Sequence, residues 1–591
     1  PLETDKHGGF KFKLGEELRS GFYPGLFAAT VPLWADGQNV QFTDVGVEKV
    51  TGSSTLVDTG NAEPIRGLVQ LVEAGTTARV YMGDLTKLYE VNVLDTSLGA
   101  VDLSSITYSL AEDSGTSTWD SGAATWDGAT PAGVSLWDAG VIKADQWSMV
   151  NYGTFVLATS GADSPQIYKG IGSGNFVNMY GGVTGVTLAV GGTNYEVGDI
   201  LTFTGGGGSG ATATVVSEAA NVITAISMTT GGTGFTSAPT GHTNGGEGGG
   251  TGTDATFTHT VNNMDVSSVE IFVKRGPHIV GFNTSVSPKE FIWCDADDPD
   301  DWVTSATNLA GQLEIRELNS EIMAAVPLGN RIAVYGTDQM FLVNYLGNAL
   351  VFGYQPALNG IGAVSKKAVV SVGRHNYGLS EQGFFMTDGV EFTYIDEPAA
   401  RRFYQENANT AQLAKVSAWH DEDNNQIRWY LPLGQTTNQA GLSYNYRNKA
   451  WSYVTGDRSA GDERRVLSYP ISGTEAGLLK VEGGTPNDSG AAIGAVATTK
   501  ALDLGNADAV KELDSIRIGY IGTGLQYRIG WSDTENGAPT WGDYTDVTTG
   551  FGFHNLRTAG RWLFFEIYSA AQNVSWEVQA VEFIGRVEGT R

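Results

Sequence analysis

A chain of 591 residues is too long for a single hydrophobic core and requires several domains. Its 65 acidic residues against 36 basic ones leave a formal net charge of -29, which argues against a protein that grips DNA by neutralising phosphates. The lone Cys294 excludes an intramolecular disulfide and a multi-cysteine zinc site. With 79 glycines, 17% charged residues and abundant Thr, Val and aromatics, the composition favours short strands joined by tight turns, an all-β fold. No basic-then-apolar leader opens the sequence and no long apolar run occurs, so neither a secretory signal nor a membrane span is expected.

Residues 1–62 read as an N-terminal docking segment. They carry one helical signal, "LGEELRSGFYPGLFA", followed by a strand and turn in "VPLWADGQNVQFTDVGVEKVTG". From there to residue 484 a strand-turn-strand unit recurs: "ARVYMGDLTKLYEV", "TFVLATSGADSPQIYK", "HIVGFNTSVSPKEFIW", "RIAVYGTDQMFLVNY", "NYGLSEQGFFMTDG", "QIRWYLPLGQTTNQAGLSYNY" and "VLSYPISGTEAGLLKV". Each is an apolar or alternating run, a polar turn and a second run, the pattern of an antiparallel hairpin. The later turns, near Ser285, Gly336, Glu381, Gln435 and Gly473, follow at intervals of roughly 40 to 50 residues, the repeat of a propeller blade. The expectation is a β-propeller of six to eight blades over residues 63–484, with stacked β-sandwiches as the alternative.

Two early intervals between hairpins are too long and mark insertions. The first holds "TSTWDSGAATWDGATPAGVSLWDAG", with Trp119-Asp120, Trp126-Asp127 and Trp137-Asp138. These pairs stand too close together to close separate WD-repeat blades, which need about 40 residues each. Their expected role is structural, indoles clipping a Gly-rich loop, with Trp126 and Trp137 as the buried pair; stacking on a sugar ring or a neighbouring subunit is the alternative. The second insertion, residues 181–263, lies in a stretch from Gly170 to Val273 without Lys, Arg or Trp. It contains two related copies, "GGTNYEVGDILTFTGGGGSGATATV" and "GGTGFTSAPTGHTNGGEGGGTGTDATF", and reads as a small, autonomous β module. A phosphate cradle is a poor reading of its glycines, since no Lys-Ser/Thr follows them. After Gly484 the alternation in "RWLFFEI" and "SWEVQAVEFIG" predicts a β-sandwich-like domain over residues 485–591.

No catalytic, cofactor-binding or metal-binding residue stands out, and no cofactor is expected. His7, His242, His259, His278, His375, His420 and His554 are scattered without metal spacing, and no HExxH, GxSxG or Walker sequence occurs. "CDADDPDDW", Asp295 to Trp302, has the charge of a calcium loop but lacks the central Gly and terminal Glu of an EF-hand, and reads as a turn. "DEDNN", Asp421 to Asn425, reads likewise. A sialidase would need Asp-boxes, of which "EDSGTSTW" and "NGAPTW" are only near misses, and an arginine triad, for which Arg79, Arg275, Arg331, Arg374 and Arg428 offer no defined set.

Several phrases in order resemble the tail hub, or nozzle, proteins of short-tailed bacteriophages, a group that includes packaged-DNA stabilisation proteins. They are "NVQFTDVGVEKVTG", "DQWSMVNYGTFVLATSGADSPQIYKG", "FIWCDADDPDDW", "PLGNRIAVYGTDQMFLVNY", "IGAVSKKAVVSVGRHNYGLSEQGFFMTDGVEFTYI", "RWYLP" with "AGLSYNYRNKAWSYV", and "GRWLFFEI" with "WEVQAVEF". The resemblance implies a non-enzymatic virion protein of the phage tail, assembled in the host cytoplasm as a homohexameric ring. Such a ring would bind portal and adaptor proteins and tail fibres or spikes, and would retain and then conduct genomic DNA during ejection without gripping it. The competing expectation is a carbohydrate-active or receptor-binding propeller, sialidase-like or an adhesin.

Overall fold

The computed structural model describes residues 2–590 apart from 5–8, 15–33, 44, 74–76, 105–145, 171–173, 234, 236, 247–250, 265, 348–349, 397 and 549–552. The Trp119, Trp126 and Trp137 stretch and most of the N-terminal helical signal therefore lie outside the described residues.

The chain is a β-propeller with an inserted β module and a β-sandwich at its C-terminal end, as the hairpin repeat predicts. Among the described residues, seven blades of four antiparallel strands form a ring; five are separate sheets, while the sixth continues into a ten-stranded sheet and the seventh into a six-stranded one. Blade 1 begins with Gly67–Glu73 and ends with Ala100–Asp102, and blade 2 runs from Ser148–Tyr152 to Val177–Asn178. Blade 3 runs from Val269–Arg275 to Gly311–Glu314, and blade 4 from Ala324–Leu328 to Phe352–Asn359. Blade 5 runs from Val369–Val372 to Phe392–Tyr394, and blade 6 from Ser417–Asp421 to Ala450–Thr455. Blade 7 takes three strands, Ala460–Asp462, Ile471–Gly473 and Leu478–Glu482, from its own stretch and its fourth, Ser53–Asp58, from near the N-terminus. The first strand of each blade touches the first strand of the next, and blade 7 returns to blade 1, which closes the ring. Each of the seven hairpins read from the sequence is the second and third strand of one blade.

The turn chemistry repeats. Blades 2 to 5 join their first two strands through two-residue turns opening on Gly153, Gly276, Gly329 and Gly373, all with φ near +60°. A positive φ at the first central residue belongs to the type II′ turn, whose twist matches that of the flanking strands. Nothing lies within 4 Å of where a Cβ would sit on any of the four, so backbone conformation, not crowding, selects glycine.

Cores lie between blades. Between blades 3 and 4, for instance, Val280, Phe282, Phe291, Ile332, Val334 and Phe341 are buried together. Each such side chain contributes ~1.5 to 3 kcal/mol of burial, so every blade is stabilised mainly by its neighbours. The closure carries a polar clasp as well. Arg458, almost fully buried, pairs with Glu482 and Asp488 and donates to Ser53 Oγ at 3.1 Å, tying the seventh blade to the N-terminal strand.

The inserted module leaves blade 2 at Tyr180 and returns to blade 3 after Asn263. A long two-stranded ribbon, Tyr180–Thr193 with Thr253–Asn263, packs on a four-stranded sheet around Val183, Tyr195, Leu201, Phe203, Ala213 and Phe235. The C-terminal sandwich packs two sheets around Trp34, Phe42, Leu513, Ile516, Tyr527, Phe565 and Phe583. Strands Leu2–Thr4, Gly9–Leu14, Trp34–Gln38, Val40–Phe42 and Val47–Lys49 join these sheets, so the first 62 residues are shared between the sandwich and the last blade.

Candidate functional site

Seven first strands meeting around an axis leave a cavity of about 420 Å³, lined from every blade. Its wall is unlike the cores between blades, for it carries Lys366, Lys367, His420, Asp462, Glu463 and Arg465 beside Ser148, Asn151 and Ser371. A fold that places charge at its axis pays for desolvation unless the groups are paired, so the pairing decides what the cavity can do.

Most of these charges are held. Lys366 is buried, lies 3.0 Å from Glu270 Oε2 and donates to the Ser160 carbonyl oxygen at 2.8 Å. A side pocket of about 20 Å³, lined by Gln146, Glu270, Ser365 and Lys366, adjoins this pair and has room for about one water. Arg465 lies 3.0 Å from Glu463 Oε1 and 3.7 Å from Asp462 Oδ1. Gln70 Nε2 donates to Asp462 Oδ2 at 3.2 Å. Burial pushes the Asp462 carboxyl above the usual carboxylate range, with Arg465 opposing. His420 Nε2 sits 3.2 Å from the Tyr446 hydroxyl, and burial lowers the imidazole pKa although Glu463 lies 4.0 Å from Nδ1. At neutral pH His420 is therefore an uncharged ring.

Lys367 differs. It stands two residues before the first strand of blade 5 and its backbone carbonyl accepts from Ala418 N at 2.9 Å, which fixes its Cα between blades 5 and 6. Its half-buried side chain lines the cavity, and its ammonium makes no hydrogen bond or ion pair among the described residues. Burial lowers its pKa to about 8, Asp462 opposes, and Lys366 and Arg465 add to the lowering. The cavity thus holds one amine that is unpartnered among the described residues and titrates within about one unit of physiological pH.

The wall between blades 6 and 7 is rigid. Trp419 stacks on Tyr430 with ring centroids 5.0 Å apart and planes 2° from parallel, and a Cβ on Gly461 would meet Trp419 at 2.2 Å. Only glycine admits the indole there.

Of the residues weighed on the sequence His420 lies in the cavity wall, and the others fall elsewhere. His242 and His259 come together inside the inserted module, where His259 packs edge-on against Phe203 with ring centroids 4.7 Å apart and His242 meets Phe257 at 5.0 Å. His278 is buried, with Nδ1 2.8 Å from the Cys294 carbonyl oxygen. Cys294 is buried and its thiol is pushed up to about 12 by burial. In the Asp295 to Trp302 stretch, Asp295 accepts from Leu309 N at 2.7 Å and Trp302 Nε1 donates to the Pro299 carbonyl at 2.7 Å, while Asp300 is held by Lys169 at 2.5 Å. The first two are contacts within the loop, and the third ties it to the segment after the blade 2 strand Gln166–Tyr168. Of the five arginines, Arg79 pairs with Glu90 at 2.9 Å and Arg428 with Asp421 at 2.6 Å. Lys367, Asp462 and Glu463 were not singled out by sequence reasoning. Their shared signal is position, each falling at or beside the first strand of a blade.

No family model matches the chain, and no curated protein matches it. Among solved structures, apo AztD from Citrobacter koseri is similar at 10% identity with a TM-score of 0.29, over 72% of this chain and 94% of that one. A structure assigned as a 6-phosphogluconolactonase from Bacteroides fragilis NCTC 9343 is similar at 10% identity with a TM-score of 0.28, over 72% of this chain and 96% of that one. Likenesses at this level say nothing of ligand or activity.

Neither structure is a phage tail protein, and the expected function, a tail-hub ring that retains and conducts DNA and anchors fibres or spikes, is corrected accordingly. The physical reason lies in the phrases that suggested it. "PLGNRIAVYGTDQMFLVNY" spans the first three strands of blade 4, "AGLSYNYRNKAWSYV" the last two of blade 6, and "GRWLFFEI" a sandwich strand. Such phrases report alternation and turn chemistry, which many propellers and sandwiches share, and carry no site.

Proposed function

We propose that the protein binds one small, highly polar molecule carrying an anionic group in the axial cavity. The observation that supports this is the Lys367 ammonium, which lines the cavity without a partner while Lys366 and Arg465 have theirs. A carboxylate or phosphate brought to Lys367 would replace lost hydration with a charge-assisted hydrogen bond, the stronger kind. The remaining wall suits hydroxyl or amide groups, since Ser148, Asn151, Ser371 and neutral His420 offer both donors and acceptors. Placement on the blades' first strands gives the site a rigid frame, as seen in the Trp419 stack against Tyr430. The reading is of a molecule that holds its ligand.

The test is a melting-temperature screen of the whole chain with citrate, glutamate, pyruvate, glucose 6-phosphate and glycerol. An anion at a hundred times its Kd raises stability by ~2.7 kcal/mol. A shift with at least one anion, absent with glycerol and lost in Lys367→Met, is expected. No shift with any anion, or an unchanged shift in Lys367→Met, overturns the reading.

A further inference from the structure

We propose that Lys367 is a covalent anchor, its amine forming a reversible imine with the carbonyl group of a small oxo acid lodged in the axial cavity. This rests on the reading of the cavity as a ligand site and names the chemistry of its ligand.

Three features of the geometry converge on it. The first is the contrast between adjacent lysines. Glu270 and the Ser160 carbonyl tie up the nitrogen of Lys366, whereas that of Lys367 makes no hydrogen bond or ion pair among the described residues. A nucleophilic amine must present its lone pair, and a salt-bridged ammonium has none. The second is the company. The charges acting on Lys367 are Asp462, Lys366 and Arg465, one carboxylate against two cations, an arrangement that disfavours adding a third positive charge. Burial acts in the same direction, and together they bring the pKa to about 8. The third is the setting. A cavity of about 420 Å³ walled by seven first strands has room for a small ligand beside the Lys367 side chain that lines it.

The chemistry balances without any oxidant or reductant. The neutral amine nitrogen attacks the carbonyl carbon, a C–N bond forms, and the carbonyl π pair moves to oxygen. That oxygen takes a proton, and the nitrogen loses one, to give a carbinolamine. A second protonation lets the oxygen leave as water while the nitrogen lone pair closes the C=N bond, and loss of the iminium N–H proton to Asp462 returns the proton that was added. The net change is amine plus carbonyl to imine plus water. Asp462 acts on Lys367 and has a carboxyl raised by burial, so it is suited to pass the proton between nitrogen and oxygen. The imine nitrogen, when protonated, sets a positive charge beside the carboxylate of the oxo acid, at Lys367, where the binding reading places it.

The experiment incubates the whole chain with glyoxylate and sodium cyanoborohydride at pH 7, where the reductant converts an imine into a stable secondary amine, and maps the adduct by peptide mass spectrometry. An amine with a pKa of about 8 is neutral roughly two to three hundred times more often at pH 7 than an ordinary lysine. Labelling at Lys367 at least about tenfold above every other lysine is expected, with Lys367→Met abolishing it and Asp462→Asn slowing it. Lys367→Arg keeps the cation and the fold but forms no imine, so it should still be stabilised by oxalate, an anion that forms no imine, and give no adduct. Uniform labelling across the lysines, or none at Lys367, overturns the covalent anchor. If oxalate still stabilises the parent in that case, and Lys367→Met removes the effect, the binding reading survives alone; if no anion stabilises the parent, both fail.

Discussion

The propeller ring and the inserted module are made from the same strand-rich composition, yet they are closed in opposite ways. The ring closes through residues far apart in sequence, Ser53–Asp58 against Leu478–Glu482, and secures that seam with buried ions. The module closes on itself, its ribbon Tyr180–Thr193 with Thr253–Asn263 lying over its own sheet. With no Lys or Arg between Gly170 and Val273, it has no cation to spend on a seam and relies on Phe203, Tyr195, Phe235 and their neighbours. The difference teaches where function is to be sought. A ring of blades must leave an axis, and the axis collects polar groups; a ribbon folded on a sheet leaves an apolar interior.

The largest effect should come from opening the ring. Arg458→Met leaves Glu482 buried without its guanidinium, and breaking one partner of a buried pair typically costs ~3 to 5 kcal/mol. Urea unfolding followed by tryptophan fluorescence leaves the inserted module silent, because residues 170 to 273 contain no Trp. The midpoint should fall clearly, and an unchanged midpoint would show that the clasp adds nothing to the apolar seam. The same clasp has a pH signature. Burial would raise the Asp488 carboxyl, yet Arg458 and Lys480 together bring it down to about 2. A carboxylate depressed in the folded state stabilises fully above its unfolded pKa of about 3.9, and that contribution is lost as pH falls from there toward 2.

A change of comparable local size but narrower reach is expected from Phe203→Ala, which empties the centre of the module's core at a typical ~3 to 5 kcal/mol. Hydrogen exchange over 180–263 should accelerate while the tryptophan-monitored transition stays in place. If both move together, the module and ring fold as one unit and the contrast drawn between them fails.

The smallest expected effect concerns His242 and His259. Burial lowers both imidazoles, and the charge of His242 lowers His259 further. The unfolded chain therefore binds more protons, so the module is most stable with neutral rings and weakens as pH falls through the unfolded value of about 6.5. Exchange in the module should rise modestly on acidification, and the double change His242→Gln and His259→Gln should flatten that rise. A flat profile in the parent would mean that the rings remain solvated.

By itself, the sequence determined the strands, their hairpins and the places where foreign segments enter. These are local properties: alternation along "RIAVYG", a polar turn, the loss of Lys, Arg and Trp after Gly170. The Gly before the second strand in "YGTF", "RGPH", "LGNR" and "VGRH" was legible too, as the type II′ signal that blades 2 to 5 share. Only the tertiary structure decided that there are seven blades among the described residues, because the last is completed by Ser53–Asp58, which carries no mark of belonging to a strand more than four hundred residues away. The site was out of reach for the same reason. Lys367, His420 and Asp462 sit on three different blades, and what sets Lys367 apart from Lys366 is not its neighbours in sequence but the absence of a Glu270 at its nitrogen. Alternation and turns are written in consecutive residues, whereas a pKa or an unpaired charge is fixed by what the folded chain brings within a few ångströms.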